Sequence, residues 1–499
     1  MLLADLVATS AAVAATRSRK AKVVALADLL RLAEPDELET VVSYLGGTRR
    51  QRRTGLGWRG VSELPEPAPT PSLTVAEVHQ AFEEMSALSG AGSQAARAAA
   101  VADLFGRATS EEQDWLRAIV TGNLRQGALD AVTQEAVAQV VGLPLADVRR
   151  AAMLAGCTVA AAGAAFAGAE ALAAIGLEVG RPVQPMLASS APDVAAAMAK
   201  LGGEVAIDAK LDGIRIQVHR DGDEIVVVTR SLDDITARLP EVVEVVRALP
   251  ADQFVLDGEA LSLTEEGRPA AFQDTASRTA QETGVAVVPY FFDVLHLDGR
   301  DLLDSTTTER LAALDALVPE AHRVSRLVTS DPAAAGEFVS RTLAAGHEGV
   351  IVKDLDAPYA AGRRGSAWIK VKPVHTLDLV VLGVEWGSGR RTGLLSNIHL
   401  GARDESSPTG FVMLGKTFKG MTDEMLAWQT ERFTELKVDD DGWVVTVRPE
   451  QVVEIAIDGI QRSTRYPGGV ALRFARVVRY RDDKTAFDAD TVETVRSFL

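Results

Sequence analysis

The pattern of apolar residues changes twice along the chain. From residue 1 to about residue 180, apolar side chains recur at helical spacing, as in LADLLRLAEPDELETVVSYL (26–45) and VTQEAVAQVVG (132–142). This spacing is typical of helices with one buried face, and the region is rich in Ala, Leu, Glu and Gln. Residues 1–178 are therefore predicted to form an all-α domain.

Short β-branched runs replace the helical pattern after GLEVGRPVQPMLA (176–188). The runs are EIVVVTR, QFVLDGEALSL, VAVVPYFFDVLHL and GVIVKD, separated by turn residues and by helical pieces such as 305–317. Such runs favour strands. Residues 179–373 are predicted to form an α+β domain with mainly antiparallel strands.

A third pattern begins after Lys372-Pro373. Strands are predicted in LDLVVLGVEWG, SNIHLGARD, GFVMLGKTF, WVVTVRPEQVVEIAI and ALRFARVVRY, with one helix at about 422–434. Five or so short strands and a helix suit a small β-barrel of the OB type. Residues 374–499 are predicted to form this domain.

Composition narrows the range of functions. The 499 residues suit about three domains, and the single cysteine, Cys157, excludes a disulfide framework or a cysteine zinc site within the chain. The uncharged run 151–169 is mostly Ala and Gly, so a packed helical core is expected rather than a membrane span. A net charge of −17 argues against a protein that coats nucleic acid unselectively. The reducing cytoplasm is the expected compartment, with association with the nucleoid if the cell is prokaryotic.

One lysine stands in an otherwise strand-like run, AIDAKLDGIRIQ (206–217). Strand alternation places Asp208, Lys210 and Asp212 on one side, and Gly213 allows the backbone to turn. A lysine becomes a nucleophile when it loses its proton, which partial burial and nearby cations promote. Taken alone, this pattern favours an ordinary hairpin lysine.

Further motifs follow that lysine in a fixed order. They are TRSLDDIT (229–236), LDGEAL (256–261), YFFDVLHLDG (290–299), HEGVIVKD (347–354), RRGSAWIKVKP (363–373) and RFARVVRYRDDK (473–484). Together with KLDGIR, this series resembles the complete motif set of the ATP-dependent DNA ligases. GNLRQGALDAVTQEAVA (122–138) is similar to the helical DNA-binding domain of the larger members.

The resemblance implies a fold and an activity. The fold is a helical DNA-binding domain, an antiparallel α+β nucleotidyltransferase domain of the ATP-grasp-like ligase adenylation type, and an OB barrel. The activity is sealing of nicks in duplex DNA, in replication, repair or recombination, through lysyl-AMP and adenylated DNA. ATP is the AMP donor, Mg²⁺ is the expected metal, and nicked double-stranded DNA is the expected partner. A monomer with no membrane association is expected.

Lys210 is the predicted catalytic nucleophile, which attacks the α-phosphorus of ATP. The residues that the resemblance assigns to ATP binding are Asp208, Arg215, Arg230, Glu259, Phe292, Arg364, Lys370 and Lys372. Asp208 is expected to contact the adenine amino group, although glutamate is frequent there in the family. Arg363 is an alternative to Arg364.

Charge and aromatic chemistry support several of these roles. Phosphoryl transfer needs cations around the α-phosphate, which Lys370 and Lys372 can supply from one strand. Glu259 and Glu348 lie beside glycine at predicted strand ends, where oxygen ligands can bind Mg²⁺. By resemblance, Glu259 contacts the ribose or a metal and Glu348 helps to hold a metal. Phe292 is expected to stack on adenine, with Phe291 as the alternative because alternation points the two rings in opposite directions.

The last motif carries a dense set of basic residues, which by resemblance belong to the OB domain and close over the ATP phosphates. They are Arg473, Arg476, Arg479, Arg481 and Lys484. Basic residues elsewhere are candidate contacts for DNA phosphates. These candidates are Arg49, Arg50, Arg52, Arg53, Arg125, Arg390, Arg391, Lys416 and Lys419.

Three other functions fit part of the pattern. An RNA ligase or a GTP-using capping enzyme shares K-x-D-G and an OB domain, but the helical region and the RDDK ending favour a DNA ligase. A non-catalytic nick-binding protein would not need the complete motif set. An NAD⁺-dependent ligase would carry cysteine zinc ligands, which a single cysteine cannot provide.

Overall fold

A computed structural model describes residues 1–499 except 52, 125–129, 266, 271–274, 276–285, 361–363 and 389–390. The side chains of residues 364 and 366 also lie outside the described part.

Helices occupy the first part of the chain, as predicted. They are α1 (Leu3–Ala15), α2 (Arg19–Leu30), α3 (Leu38–Leu45), α4 (Val75–Ala87), α5 (Ser93–Gly106), α6 (Ser110–Val120), α7 (Asp130–Val141), α8 (Leu145–Leu154), α9 (Thr158–Ala167) and α10 (Ala169–Ala173), with a 3-10 turn at Trp58–Val61. Capping boxes at Thr74 and Thr109 begin α4 and α6. The apolar faces meet in one core that includes Leu26, Tyr44 and Phe82. Within the described ranges, every helix is too short or too polar to span a bilayer.

Two five-stranded sheets form the middle of the chain. The strands of the two sheets are β1 (Leu187–Ser190), β2 (Val205–Lys210), β3 (Ile214–Asp221), β4 (Glu224–Thr229), β5 (Gln253–Leu261), β6 (Val288–Leu297), β7 (Arg300–Asp301), β8 (Arg326–Thr329), β9 (Gly349–Asp354) and β10 (Arg364–Val371). The first sheet has the order β1-β10-β9-β2-β8, and the second has the order β4-β3-β5-β6-β7. Pairing is antiparallel except between β1 and β10, which agrees with the predicted α+β class.

Helices cover both sheets on their outer faces. The helices are α11 (Val194–Leu201), α12 (Pro240–Arg247), α13 (Thr307–Leu317) and α14 (Pro332–Ala344), with 3-10 turns at Thr236–Arg238 and Glu320–His322. Helices α11 and α14 pack on the first sheet, and α12 and α13 pack on the second. Residues of both sheets line a cleft on the side that the helices do not cover.

The last part of the chain is an antiparallel sheet domain of the OB type, as predicted. Its elements are β11 (His375–Trp386), β12 (Leu395–Arg403), β13 (Phe411–Thr417), α15 (Asp423–Glu435), β14 (Lys437–Asp440), β15 (Val444–Val447), β16 (Val452–Ile457), β17 (Gly459–Arg462), β18 (Val470–Arg473), β19 (Arg476–Tyr480), a 3-10 turn at Ala486–Asp488 and α16 (Val492–Arg496). The helix predicted at about 422–434 is α15.

Two long apolar runs of this domain each form two strands rather than one. WVVTVRPEQVVEIAI divides into β15 and β16 around Pro449, which has no N–H to donate to a strand neighbour. ALRFARVVRY divides into β18 and β19 at Phe474, whose φ of 53° is left-handed. The domain therefore has more, shorter strands than the apolar pattern indicates.

Helix α8 connects the helical part to the second sheet. Met153 and Leu154 of α8 share a core with Val183 and Met186. Arg150 donates two hydrogen bonds of 2.7 Å to the carboxylate of Asp304. The helical part therefore rests against the sheets through both apolar packing and charge.

Candidate active site

The predicted motifs converge on one cleft of about 1940 Å³. Residues from all three parts of the chain line it, including Arg53 from the helical part, Lys210 and Glu348 from the sheets, and Lys419 and Asp458 from the OB part. Its lining contains both charged groups and aromatic rings. A cleft of this kind suits a charged ligand with an aromatic portion.

Lys210 is the last residue of β2 and lies opposite Gly349 of β9. Its half-buried ammonium donates a hydrogen bond to Glu348, and so does the ammonium of Lys372. The backbone N–H of Glu348 donates to the carbonyl of Lys210 at 3.0 Å. The structure thus places Lys210, Glu348 and Lys372 together, as the motif order predicts.

Gly213 lies at a bend after β2, and close approach to a neighbouring strand is a further reason for glycine there. A Cβ atom there would lie 2.4 Å from the carbonyl oxygen of Ala260, so close backbone approach excludes a side chain. The Gly213 N–H donates to Oε1 of Glu259 at 3.1 Å. Burial raises the pKa of Glu259 to about 7, against the lowering effect of Lys210 and Arg215.

An aromatic surface forms one part of the cleft. The rings of Phe292 and Trp368 make an edge contact with centroids 6.0 Å apart, and both residues line the cleft. Phe291 points the other way and is fully buried in the core of the second sheet. Of the two predicted phenylalanines, Phe292 is therefore the one that faces the cleft.

Asp208 also lines the cleft, but its carboxylate is held by two cations. Oδ1 accepts from Nε of Arg326 at 2.8 Å, and Oδ2 lies 2.7 Å from Nζ of Lys353. The Lys353 ammonium donates to the carbonyl of Phe292 at 2.8 Å and lies 4.6 Å from the Trp368 ring centroid. Neither cation was singled out from the sequence, although Lys353 lies within the quoted run HEGVIVKD.

Arg215 is held from two sides beneath the aromatic rings. Its Nε and one terminal nitrogen donate to both oxygens of Asp257, at 3.0 and 2.7 Å, and the other donates to the carbonyl of Met186 at 2.8 Å. The guanidinium carbon lies 5.5 Å from the Phe292 centroid. Tyr359 completes the arrangement by donating to Asp257 at 2.7 Å.

The other predicted nucleotide ligands lie at different places around the cleft. Arg230 is exposed at the end of β4, and Lys370 of β10 is half-buried; both line the cleft. The backbone of Arg364 begins β10 opposite Leu187, but its side chain and the alternative Arg363 lie outside the described residues.

Only the first half of the basic C-terminal motif lies at the cleft. Arg473 donates to both oxygens of Asp212, at 2.7 and 3.3 Å, and Arg476 donates to Asp458 at 3.1 Å. Arg481 and Lys484 instead contact Asp378 of β11, Lys484 at 2.5 Å. The expectation that the whole motif covers the site therefore holds here only for Arg473 and Arg476.

Three segments of the sequence match the domains of one protein family. Residues 61–138 match the DNA ligase N terminus, 185–372 the ATP dependent DNA ligase domain, and 391–484 the ATP dependent DNA ligase C terminal region. A probable DNA ligase of Nocardioides sp. strain JS614 is 71% identical across 100% of this chain and 99% of its own length. One from Kineococcus radiotolerans is 70% identical across 99% of both chains.

The chain belongs to the ATP-dependent DNA ligases. A solved structure named Pmar-Lig_Pre shares its fold, with a TM-score of 0.64, 18% identity, and coverage of 96% of this chain and 99% of that chain. A second, Pmar-Lig_PreS3, has a TM-score of 0.62 at 18% identity over 95% of this chain and 99% of that chain.

Several basic residues expected at a DNA surface of this ligase are engaged within the protein. Arg49 donates to Thr54 at 2.7 Å and lies over the Phe82 ring, and Arg50 forms an ion pair with Glu39 at 2.7 Å. Lys416 pairs with Glu385, and Arg391 donates to the Phe418 carbonyl. Arg53 and Lys419 line the cleft. Arg52, Arg125 and Arg390 lie outside the described residues.

The carboxylates that line the cleft suit a metal ion that is bound jointly by the protein and by a substrate. Among the described residues, no group of three or more His, Cys, Asp or Glu side chains forms a metal cage. Mg²⁺ is commonly bound by one or two carboxylates together with substrate phosphates and water. Glu259 and Glu348, which both line the cleft, fit this kind of site.

Proposed function

We propose that this ligase seals nicks in duplex DNA with ATP as the AMP donor. The Lys210 amine attacks the α-phosphorus, so that an N–P bond forms, the bond to the β-phosphate oxygen breaks and pyrophosphate leaves. The 5′-phosphate of the nick then displaces Lys210 from the AMP group. The adjacent 3′-hydroxyl finally attacks the activated 5′-phosphate and releases AMP.

The observation that carries this proposal is the grouping of Lys210, Glu348 and Lys372 in one half-buried cluster. Attack requires a lysine without its proton, and Glu348 is the carboxylate hydrogen-bonded to that ammonium. Lys372 and Lys370 would then neutralise the charge of the transferring phosphate. These groups lie next to an aromatic surface, as transfer of a nucleotide requires.

The rest of the cleft suggests a pose for the nucleotide. Phe292 would stack on adenine, and Arg230 would bind ribose or phosphate. Oδ1 of Asp208 accepts from Arg326, whereas Oδ2 is ion-paired with Lys353 but accepts no hydrogen bond, so the adenine amino group remains the proposed partner of Oδ2. Arg215, held by Asp257, would support the Phe292 ring and reach the sugar; Arg364 stays a proposed phosphate contact on the sequence alone.

The proposed metal ligands are Glu259 and Glu348, which would hold Mg²⁺ together with the phosphates of ATP. The ion would supply positive charge to the developing pyrophosphate. Glu259 can also accept a hydrogen bond from a ribose hydroxyl, as the resemblance implies.

Duplex DNA would bind across the cleft through its phosphates, without base readout. Arg53 of the helical part and Lys419 of the OB part, which both line the cleft, are the proposed first contacts. Binding should weaken as salt is raised and should not depend on sequence. We also propose that one copy of the chain is sufficient, which light scattering of the DNA complex would test.

The test measures both halves of the reaction. ATP labelled at the α-phosphate should transfer label to the wild-type protein, and the protein should then seal a nicked duplex. Lys210→Ala should do neither, whereas Lys200→Ala, an exposed lysine on α11, should do both. Label on the Lys210→Ala protein would show that the nucleophile is wrong.

Matched substrates separate the alternatives. Label transfer from GTP in place of ATP would favour a capping-type enzyme, and sealing only of nicked RNA would favour an RNA ligase. Activity with NAD⁺ alone would contradict the proposal. A protein that binds nicks but never takes up label would be non-catalytic.

A further inference from the structure

A row of side chains on β3 holds the linker between α10 and β1, residues 174–186, which joins the helical part to the first sheet. Alternation places Arg215, Gln217 and His219 on one face of β3, and the residues between them belong to the core of the second sheet. Each of the three side chains hydrogen-bonds to the linker main chain. Their partners, in the order of β3, are Met186, Val183 and Gly180. The linker therefore runs antiparallel to β3 and is held by side chains in place of a strand ladder.

Gln217 forms the central contact of this row. Its Oε1 accepts from the Val183 N–H at 2.8 Å, and its Nε2 donates to the Val183 carbonyl at 3.1 Å. One side-chain amide thus satisfies both backbone groups of one linker residue, as a neighbouring strand would. Gln217 is only 4% exposed, so loss of its amide would leave two backbone groups unpaired in a buried place.

His219 fixes the orientation of that amide. Its Nδ1 accepts from the Gly180 N–H at 3.1 Å, so a neutral ring carries its proton on Nε2. Nε2 then donates to Oε1 of Gln217 at 2.9 Å. Each nitrogen and oxygen of the two side chains has a partner, and only one arrangement of donors and acceptors satisfies them all.

The other side of the linker is bound to the helical part. The Gln184 N–H donates to the carbonyl of Met153, in α8, at 3.0 Å. The side chains of Val183 and Met153 also share one core. Consecutive linker residues therefore hydrogen-bond to β3 on one side and to α8 on the other. The linker main chain is the layer that separates the helix from the sheet, and its attachment to β3 determines where α8 lies.

We propose that Gln217 and His219 are positioning residues, which fix the helical part relative to Lys210 so that it can engage a nicked duplex. This inference rests on the proposed function. Arg53 of the helical part lines the same cleft as Lys210 and is a proposed contact for DNA phosphates. A linker that is loose on β3 allows the helical part to move, so DNA phosphates are bound less well.

Lysine adenylation should depend much less on the linker. The side chains proposed for that step lie on the two sheets and on the connections between their strands. Arg215 belongs to the same row, but it keeps two hydrogen bonds to Asp257 when the linker is loosened. The reaction with ATP and the reaction with DNA therefore respond differently to loss of this contact.

The test compares Gln217→Met, His219→Leu and His219→Asn with the wild type. Methionine and leucine occupy a similar volume but form no such hydrogen bonds, whereas the asparagine side-chain oxygen can accept from Gly180 in place of Nδ1. Thr342→Val, which removes a buried hydrogen bond from the outer helix α14, is the control. Amide hydrogen exchange measures how firmly the linker is held. Single-turnover label transfer from ATP and the KM for a nicked duplex measure the two reactions.

We expect the Gly180 and Val183 amides of the wild type to exchange as slowly as those of β3, although they lie in no strand. In Gln217→Met and His219→Leu they should exchange faster, with label transfer at the wild-type rate. The KM for the nicked duplex should rise about tenfold in both, as for loss of one or two buried hydrogen bonds. His219→Asn and Thr342→Val should keep the wild-type KM.

Three results would overturn the inference. One is fast exchange of the linker amides in the wild type, which needs no variant to fold. Another is a wild-type KM in a variant whose linker exchanges faster. The third is an equal loss of label transfer, which would assign Gln217 and His219 a merely structural role. Absence of label transfer in the wild type would instead reject the proposed function, and the exchange of the linker amides would be unaffected.

Discussion

The ammonium of Lys353 lies 2.7 Å from Oδ2 of Asp208, and the two residues are only 1% and 2% exposed. Arg326 holds the other oxygen of the same carboxylate. A buried charge is tolerated when it is paired and hydrogen-bonded. Because Asp208 lies on β2 and Lys353 on β9, their ion pair joins these two strands beside the aromatic surface of the cleft.

Replacing Lys353 with methionine should strongly destabilise the protein. The substitution preserves much of the side-chain volume but leaves part of a buried carboxylate unpaired, which costs about 3 kcal/mol. Guanidinium unfolding followed by tryptophan fluorescence would measure the loss, and Trp368 lies beside the site. Lys200→Met, at an exposed position, should change stability by less than about 0.5 kcal/mol. A similarly small loss for Lys353→Met would contradict the prediction.

The two adjacent phenylalanines should behave differently. Phe292→Ala removes a ring from the cleft and should weaken ATP binding about tenfold, as expected for loss of base stacking. Phe291→Ala removes a fully buried ring and should instead reduce stability by about 3 to 5 kcal/mol. Titration of ATP on the unmodified enzyme and chemical unfolding would distinguish them. Weaker ATP binding by folded Phe291→Ala alone would reverse the assignment.

Gly213→Ala should nearly abolish lysine adenylation. A methyl group at that position meets the Ala260 carbonyl at 2.4 Å, so strands β3 and β5 must separate beside Lys210. A displacement of this size near a reacting group can reduce the rate about a hundredfold. Gly336→Ala in α14, where a Cβ meets nothing within 4 Å, is the matched control and should leave the rate unchanged. Single-turnover label transfer would measure both.

Buried His219 should make stability depend on pH. Burial, followed by the charge of His296, lowers its pKa to about 4 from an ordinary 6.5. Between these pH values His219 is protonated in the unfolded chain but not in the folded chain, so stability falls as pH falls from about 6.5 to 4. The resulting loss in the free energy of unfolding is about 3 kcal/mol.

His219→Gln tests this effect because glutamine does not titrate. The free energy of unfolding should be measured at pH 7 and pH 4.5 for both proteins. The wild type should lose about 2 to 3 kcal/mol more than the variant over this range. Parallel losses in the two proteins would show that His219 does not carry the pH dependence.

Local spacing and motif order were sufficient to predict most of the local elements and to name the groups that are proposed to react. The run GVIVKD is strand β9, and 305–317 contains α13, because apolar spacing reports directly on local structure. The order of the motifs was sufficient to expect Lys210, Glu348 and Lys372 in one site. Alternation also required Phe291 and Phe292 to face opposite sides.

The three-dimensional arrangement was needed to show which of those faces meets the cleft and which charged side chains pair. Asp208 and its partner Arg326 are 118 residues apart, and no spacing rule connects them. The same applies to Asp458 beside Lys372, and to Arg481 and Lys484, which face Asp378 rather than the cleft. Apolar periodicity describes how each segment is buried, whereas ion pairs between distant segments depend on how separate sheets come together in space.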